Sequence, residues 1–400
     1  MSHKNLFRKI EKTLATIEKS ENVTVTITNL ARAIVENFEQ ELGISGGRLY
    51  RQNDGLFELV ELFGRVKHVQ RGLTVPKDYP PIVTAMEEGI VLMDQDDTGI
   101  DRRFEREIGV HRFAAIEVGD GAFLLAFNVS PSSREDDLIA SLQIFRLAVN
   151  QRIRTGRLEG LLLEARSIQS SILPKKVPNL SGYDIAGRSE PAAVVGGDFY
   201  DFIPISEQIL GVAIADASGH GLPAALQVRD VYMGLRMGVA RDFKIVRTVE
   251  RLNQIIQKSQ LVTKFVSLFY GELESDGLFI YVNAGHNPPV LLRKGTVVEE
   301  LGTGGMVLGL SPGAVYQRGF ARVGPGDVVV LFTDGIVETH NSKTEEFGNR
   351  RLIELVRKAK GASSEEIVTR IFDGVGRFSS GAAAEDDRTV VVIRRKEESA

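Results

Sequence analysis

The sequence contains no cysteine among its 400 residues. Disulfides, thiolate zinc sites, iron–sulfur clusters and a cysteine nucleophile are therefore excluded. An excess of positive charge is also missing, because the formal net charge is −4, and this disfavours nucleic acid as a partner. Long apolar runs are missing too, since the stretch from Ala122 to Phe127 is far shorter than the roughly 18 residues that a membrane span needs. With no apolar signal-peptide core at the N-terminus, we expect a cytoplasmic protein without a membrane span.

The length predicts two domains with a connector. Residues 1–134 form the first predicted domain, in which apolar residues at helical spacing over 5–42 predict two helices separated near Glu21. Strand-like segments separated by Gly-Asp turns follow, at 47–52, 56–63, 112–118 and 123–129. This layout resembles a GAF-type sensor domain, which implies that an unknown signal or ligand acts on it. Another small α+β module is the alternative.

Residues 135–175 are predicted to be a linker built on one long helix over 135–173, which Pro174 and Pro178 stop. Apolar residues repeat along it at coiled-coil spacing, first at Leu138, Leu142, Phe145 and Val149 and then at Leu161, Ala165, Ile168 and Ile172. Such spacing favours a parallel coiled coil and hence a homodimer. A single amphipathic helix packed on its own domain is the other interpretation, and the sequence does not decide between them.

Residues 176–400 form the second predicted domain. Its strands are nearly continuous in apolar residues, which predicts sheets covered on both faces. An α–β–β–α sandwich within an α+β protein satisfies that pattern. The predicted strands are 209–215, 265–273, 278–283, 290–293, 328–333 and 389–394. The predicted helices are 222–240, 246–260, 350–360 and 364–378.

Aspartates recur at the ends of these strands. Asp198 lies in a Gly-Gly-Asp motif, Asp216 follows one apolar run, Asp334 follows another, and Asp386 with Asp387 precedes the last strand. One such aspartate is usually a turn former or a helix cap. Four repetitions predict a shared acidic site, whose mutual repulsion divalent cations would offset.

The candidate ligands are all oxygen atoms, which selects Mg²⁺ or Mn²⁺ over zinc. No phosphate-binding loop and no nucleophile elbow compete with this interpretation. His220 and His286 could act as general acids. Each lies between small residues, so the orientation of a loop is the favoured role for both.

Eight motifs in a row resemble the SpoIIE/RsbU-type branch of the PPM metal-dependent protein phosphatases, over about 168–395. Each motif is weak alone, but their order over more than half of the chain is specific. They are Gln169-Ser170-Ser171-Ile172-Leu173-Pro174, Glu190-Pro191-Ala192, Val195-Gly196-Gly197-Asp198-Phe199-Tyr200-Asp201, Asp216-Ala217-Ser218-Gly219-His220-Gly221 with the following Leu222 to Leu226, Asn283-Ala284-Gly285-His286-Asn287-Pro288-Pro289, Gly305 to Leu310, Phe332-Thr333-Asp334-Gly335-Ile336-Val337-Glu338, and Asp386-Asp387-Arg388-Thr389.

The resemblance implies a binuclear Mn²⁺ or Mg²⁺ centre in the sandwich. It assigns Asp198 and Asp216 to the metals, together with the backbone carbonyl of Ala217, where many relatives have glycine. Asp334 and Asp386 would complete the second ion's ligands, with Asp387 the less favoured of its pair. It also implies a phosphoserine or phosphothreonine substrate on a STAS-type anti-anti-sigma protein or a similar partner-switching protein.

Three functions follow from these patterns. The first is a signal-regulated serine/threonine phosphatase, in which a metal-activated water attacks phosphorus. The second is a scaffold that binds a phosphoprotein without turnover, which the complete acidic set disfavours. The third, a ligand-binding sensor in the N-terminal half, is compatible with the first.

Overall fold

The computed structural model describes residues 23–67, 69–219, 221–241, 244–259, 265–294 and 297–397. The chain divides into two compact units, Met1–Leu161 and Leu162–Ala400. The first predicted helix of the chain, before residue 22, lies outside the described residues. Within them, no helix combines the length and apolarity needed to cross a bilayer.

The N-terminal unit is built on a six-stranded antiparallel sheet with the order β3-β2-β1-β6-β5-β4. Its strands are β1 (Ile44–Asn53), β2 (Leu56–Gly64), β3 (Thr74–Pro76), β4 (Ile90–Asp94), β5 (Arg112–Val118) and β6 (Phe123–Val129), and its helices are α1 (Val23–Leu42), α2 (Pro80–Glu88), α3 (Arg102–Ile108) and the beginning of α4 (Glu135–Ser170).

Each face of this sheet has its own core. One core is shared with α1 and the first half of α4, and includes Ile34, Phe38, Phe127 and Phe145. The other lies beneath α2 and α3, and includes Ile82 and Ile108. The apolar alternation of β6, which divides its residues between the two cores, is the sequence feature that produces this arrangement.

Helix α4 has two different halves. Leu138, Leu142, Phe145 and Val149, the first half of the predicted seam, are buried in the N-terminal core, so this half follows the packed-helix interpretation. In the second half, Leu161 and Ile168 are exposed, and the coiled coil there stays a prediction. The division between the two compact units falls within this helix.

The C-terminal unit stacks two sheets between two helical layers, which confirms the predicted sandwich. One sheet has the order β14-β11-β10-β9-β8 with β15 beside β11, and the other has the order β13-β12-β16-β17-β7. The strands are β7 (Tyr183–Glu190), β8 (Asp198–Pro204), β9 (Ile209–Ala217), β10 (Val266–Glu274), β11 (Leu278–Ala284), β12 (Val290–Arg293), β13 (Val297–Glu300), β14 (Gly304–Gly305), β15 (Gly319–Arg322), β16 (Val328–Phe332) and β17 (Arg388–Arg395), and the helices are α5 (Leu222–Ala240), α6 (Ile245–Lys258), α7 (Asp334–Val337), α8 (Gly348–Lys358) and α9 (Ser364–Phe378).

Three apolar layers hold the sandwich together. The first lies between the α5–α6 pair and the β8–β11 sheet, the second lies between the sheets, and the third lies under α8 and α9. Strand β9 illustrates how one strand contributes to two apolar layers. Its Ile214 faces the layer between the sheets, and its Ala215 faces the helices. Both faces of the strand are buried, so its sequence is almost entirely apolar.

Candidate metal centre

In the first sheet, antiparallel pairing places two of the predicted aspartates next to each other. Asp198 is the first residue of β8, and Asp216 lies near the end of β9. Because the strands run in opposite directions, the start of one meets the end of the other, and the two residues are direct partners across the ladder. The two aspartates are therefore neighbours in the fold, although they are apart in the sequence.

The second sheet also places acidic residues at the end of one strand and before the start of its neighbour. Strand β16 ends at Phe332, where it pairs with the beginning of β17. Asp334 starts α7 just beyond that end, and Asp386 precedes β17. A direct bond joins the two sheets, because the Thr333 hydroxyl donates to Asp198 Oδ2 at 2.7 Å.

The electrostatics join these carboxylates into one site. Burial, followed by the charges of Asp334, Asp386 and Asp387, raises the pKa of Asp216 to about 8. Burial and the charge of Asp216 raise the pKa of Asp198 well above its usual value. Burial and the charge of Asp386 likewise raise the pKa of Asp334. Like charges in a desolvated site have this effect when no cation balances them.

Asp387 is bonded differently from the other acids. Its Oδ1 accepts from the backbone N–H of Ala192 at 2.7 Å, and its Oδ2 accepts from the N–H of Gly197 at 2.5 Å. These bonds tie the loop before β8 to the start of β17. The side chain thus holds the loop that carries Asp198, and its oxygens already have partners.

The donor set matches a hard divalent cation in chemistry. All the candidate ligands are oxygens, and the Ala217 carbonyl oxygen lies only 2.8 Å from where a Cβ on Gly197 would stand. That glycine therefore allows the loop backbone to approach the carbonyl closely. Among the described residues no three acidic or histidine side chains converge tightly enough to hold one ion by themselves. Mg²⁺ commonly takes one or two carboxylates and keeps several waters, so the set still suits it.

His286 is buried, and both its ring Nδ1 and its backbone N–H make hydrogen bonds. It is 5% exposed, its Nδ1 lies 2.8 Å from Ser267 Oγ, and its backbone N–H donates to Asn283 Oδ1 at 2.7 Å. Burial lowers its pKa to about 4, so the ring is neutral at pH 7. This agrees with the predicted loop-orienting role. His220 lies outside the described residues.

Gln169 connects the last turn of α4 to the acidic site. Its Nε2 donates to the Gly196 carbonyl at 2.5 Å, and its Oε1 accepts from the Gly196 N–H at 3.1 Å. Gly196 is two residues before Asp198, in the same loop that Asp387 holds. Gln169 and Thr333 have no predicted role, although both lie inside the motifs that resemble the phosphatase family.

Comparisons with known proteins concern the sequence and the fold of this chain. Residues 206–396 match the family model of Stage II sporulation protein E (SpoIIE). The chain is 31% identical over 213 residues to phosphoserine phosphatase RsbU of Bacillus subtilis (strain 168), covering 52% of this chain and 62% of that protein. It is 24% identical over 180 residues to phosphoserine phosphatase RsbP of the same organism, covering 44% of each. Among solved structures, the SiaA-PP2C domain of Pseudomonas aeruginosa superposes with a TM-score of 0.54 at 20% identity, covering 60% of this chain and 98% of that one.

The family-model match lies within the C-terminal unit. The chain spans less than two thirds of the length of either relative, and the likeness to the SiaA domain concerns the fold. Residues 206–396 are therefore similar to SpoIIE-type domains, and the two sheets with their covering helices have the fold of the SiaA-PP2C domain.

Proposed function

We propose that this protein is a metal-dependent phosphoserine/phosphothreonine protein phosphatase of the PPM type, regulated by its N-terminal unit. The observation that carries the proposal is the set of carboxylates from both sheets, where burial and mutual repulsion raise the pKa values and bring that of Asp216 to about 8. A site with this much uncompensated negative charge favours the binding of cations, and an anionic ligand would not bind there without them. The similarity to two proteins named phosphoserine phosphatase supports the reaction class.

Two Mn²⁺ or Mg²⁺ ions are the proposed cofactors. Asp198, Asp216 and the Ala217 carbonyl would hold one side of the centre, and Asp334 and Asp386 the other. When bound, such a pair makes a water acidic enough to attack phosphorus and neutralises phosphoryl oxygens.

The chain's own residues orient this centre. The Thr333 hydroxyl donates to Asp198 Oδ2 and so fixes the direction of that carboxylate. Asp387 and Gln169 hold the backbone just before it, at Gly197 and Gly196. The neutral His286 ring bonds to Ser267 and stiffens the neighbouring loop, so it supplies no proton to the leaving group in this proposal.

The proposed substrate is a phosphorylated STAS-domain protein of a partner-switching system. The basis for this class of partner is the resemblance of the eight motifs to SpoIIE/RsbU-type phosphatases. The N-terminal unit is proposed to act as a GAF-like sensor of an unknown signal or ligand, and the exposed half of α4 is proposed to join two copies into a dimer.

The test is hydrolysis of p-nitrophenyl phosphate and of a serine-phosphorylated STAS protein by the full chain after removal of metal. We expect turnover with added Mn²⁺ or Mg²⁺, little with zinc, and none with EDTA. Full activity after exhaustive chelation would rule out the metal centre. A phosphoprotein that binds but is not hydrolysed with any of these ions would favour the scaffold function instead.

A further inference from the structure

A groove of the C-terminal unit lies next to the acidic centre and is lined by arginines. It is formed by β7, the beginning of β17 and the C-terminal end of α9, and its volume is about 730 Å³. Sites that bind a ligand commonly have volumes of about 300–1,000 Å³. The charged residues that line the groove are three basic ones, Arg188, Arg377 and Arg388, and two acidic ones, Glu190 and Asp373.

Arg388 connects this groove to the proposed metal centre. The residue also lines a smaller depression of about 180 Å³, together with Asp386 and with Gly335, which follows Asp334. Arg388 is two positions after Asp386, so their Cα atoms are at most about 7 Å apart. A substrate whose phosphoryl group reaches the centre at Asp386 would therefore bring the residues next to its phosphoserine to Arg388.

The side chain of Arg388 lacks the acidic partner that its position suggests. Its Nε is buried and has no hydrogen-bond partner in the described part of the chain. Glu190 is its direct partner across the β7–β17 ladder, but the Glu190 carboxylate accepts a hydrogen bond from Arg188. Burial lowers the pKa of Arg388, because a buried charge without a partner is costly. The groove therefore lacks one anionic group beside this arginine.

The other two arginines differ in what holds them. The Arg188 guanidinium lies 4.6 Å from the centre of the Phe372 ring and forms an ion pair with Glu190. Arg377 lies in the last turn of α9 and is exposed. Arg188 is therefore occupied within the protein. Arg388, which is half-buried, and Arg377, which is in solvent, remain for a ligand among the residues that the structure describes.

We propose that this groove selects phosphoprotein substrates that carry an acidic residue one or two positions from the phosphoserine, whose carboxylate accepts hydrogen bonds from the Arg388 guanidinium. A guanidinium suits this role because its planar array of donors matches the geometry of a carboxylate. Arg377 adds a weaker attraction at the solvent-exposed side of the groove. The inference rests on the proposed function, since it assigns the groove to the substrate of that same site.

The test compares matched phosphopeptides as substrates of the full chain with Mn²⁺. The parent peptide has alanine at the two positions on each side of phosphoserine, and its derivatives carry glutamate, glutamine or lysine on one side or the other. We expect kcat/KM of one glutamate peptide to exceed that of its glutamine counterpart about tenfold or more, the range for a charge-assisted hydrogen bond. The difference should lie mainly in KM, because the carboxylate is bound equally in the ground state and in the transition state.

Variants identify the groove. Arg388→Met removes the charge and should bring the ratio of kcat/KM for the glutamate and glutamine peptides close to one, and Arg388→Glu should favour the lysine peptide. Arg377→Glu changes an exposed residue and should lower the ratio about twofold to fivefold, the range for an exposed ion pair. This variant decides the case in which the Arg388 variants do not fold. Arg251→Met, which changes an exposed arginine of α6, should keep the wild-type ratio.

The outcomes that overturn this inference differ from those that overturn the proposed function. Equal kcat/KM for the glutamate and glutamine peptides, together with hydrolysis of p-nitrophenyl phosphate, would overturn the inference alone. An equal loss for both peptides in Arg388→Met would also overturn it, because Arg388 would then serve the phosphoryl group or the metal centre. A wild-type ratio in both Arg388→Met and Arg377→Glu would place the selection elsewhere on the protein. If the metal-loaded wild type hydrolyses no phosphoester at all, the proposed function fails and this inference fails with it.

Discussion

At the scale of single residues, Asp334 is the most direct test of the acidic site. Asp334→Asn keeps the shape of the side chain and removes one charge from a crowded group, so we expect Mn²⁺-dependent hydrolysis to be lost and the fold to be retained. Without metal, the variant should be as stable as the wild type or more stable, because a repulsive charge is gone. Activity assays and thermal unfolding in EDTA measure the two effects.

The matched control is Asp373→Asn, which changes an exposed aspartate of α9 and should leave turnover unaltered. Wild-type turnover by Asp334→Asn would remove this residue from the metal centre. Loss of folding, seen as a missing unfolding transition, would indicate a structural role instead.

Asp216 makes stability depend on pH. Its pKa in the folded protein, about 8, lies above the ordinary value of 3.8, so the folded state holds the proton more tightly than the unfolded state. The contribution of this group to stability is therefore full below pH 4 and is lost as pH rises towards 8.

We expect the metal-free wild type to lose stability between pH 5 and 8 relative to Asp216→Asn, and Mn²⁺ to restore it at pH 8. Urea unfolding at several pH values, with and without metal, measures this. Equal pH slopes for the two proteins would contradict the raised pKa of Asp216.

The sequence predicts these aspartates because each stands at the end of an apolar strand. The sequence could not predict their hydrogen-bond partners, because these bonds join segments that are distant in the sequence. The bond from Thr333 to Asp198 spans 135 positions, and the bonds from Asp387 reach 190 or more positions back.

At the scale of elements, the end of α4 should control the acidic site through Gln169. Gln169→Ala removes both bonds to Gly196 and frees the loop that carries Asp198. We expect a change in kcat of several-fold or more with the melting temperature nearly unchanged. Ser167→Ala, on the same helical turn and exposed, is the control.

A positioning role for Gln169 has a further signature. The concentration of Mn²⁺ that gives half-maximal activity should shift in Gln169→Ala and not in Ser167→Ala, since the loop holds a proposed ligand. If kcat and the metal requirement are both those of the wild type, α4 does not act through this contact.

Helix α4 also shows what periodicity could and could not predict. Its extent of Glu135–Ser170 agrees with the predicted helix to within a few residues, because apolar spacing defines a helix without reference to its partner. Apolar spacing does not identify the surface on which the helix packs. Spacing of three and four residues suits both a second helix and a sheet, and Leu138 to Val149 pack on the sheet of their own unit.

At the scale of the whole molecule, the exposed half of α4 makes the oligomeric state testable. Leu158 and Leu161 are 61% and 63% exposed, and Ile168 is 53% exposed. Apolar side chains at this spacing favour a second copy of the helix. We therefore expect the wild type to sediment as a dimer and Leu161→Asp to sediment as a monomer, with altered phosphatase activity. Leu147→Asp changes a leucine of the first half that is 65% exposed and lies outside this stretch, so it should remain a dimer. A wild type that is monomeric at all concentrations, or Leu161→Asp with unchanged mass and activity, would leave α4 as a connector only.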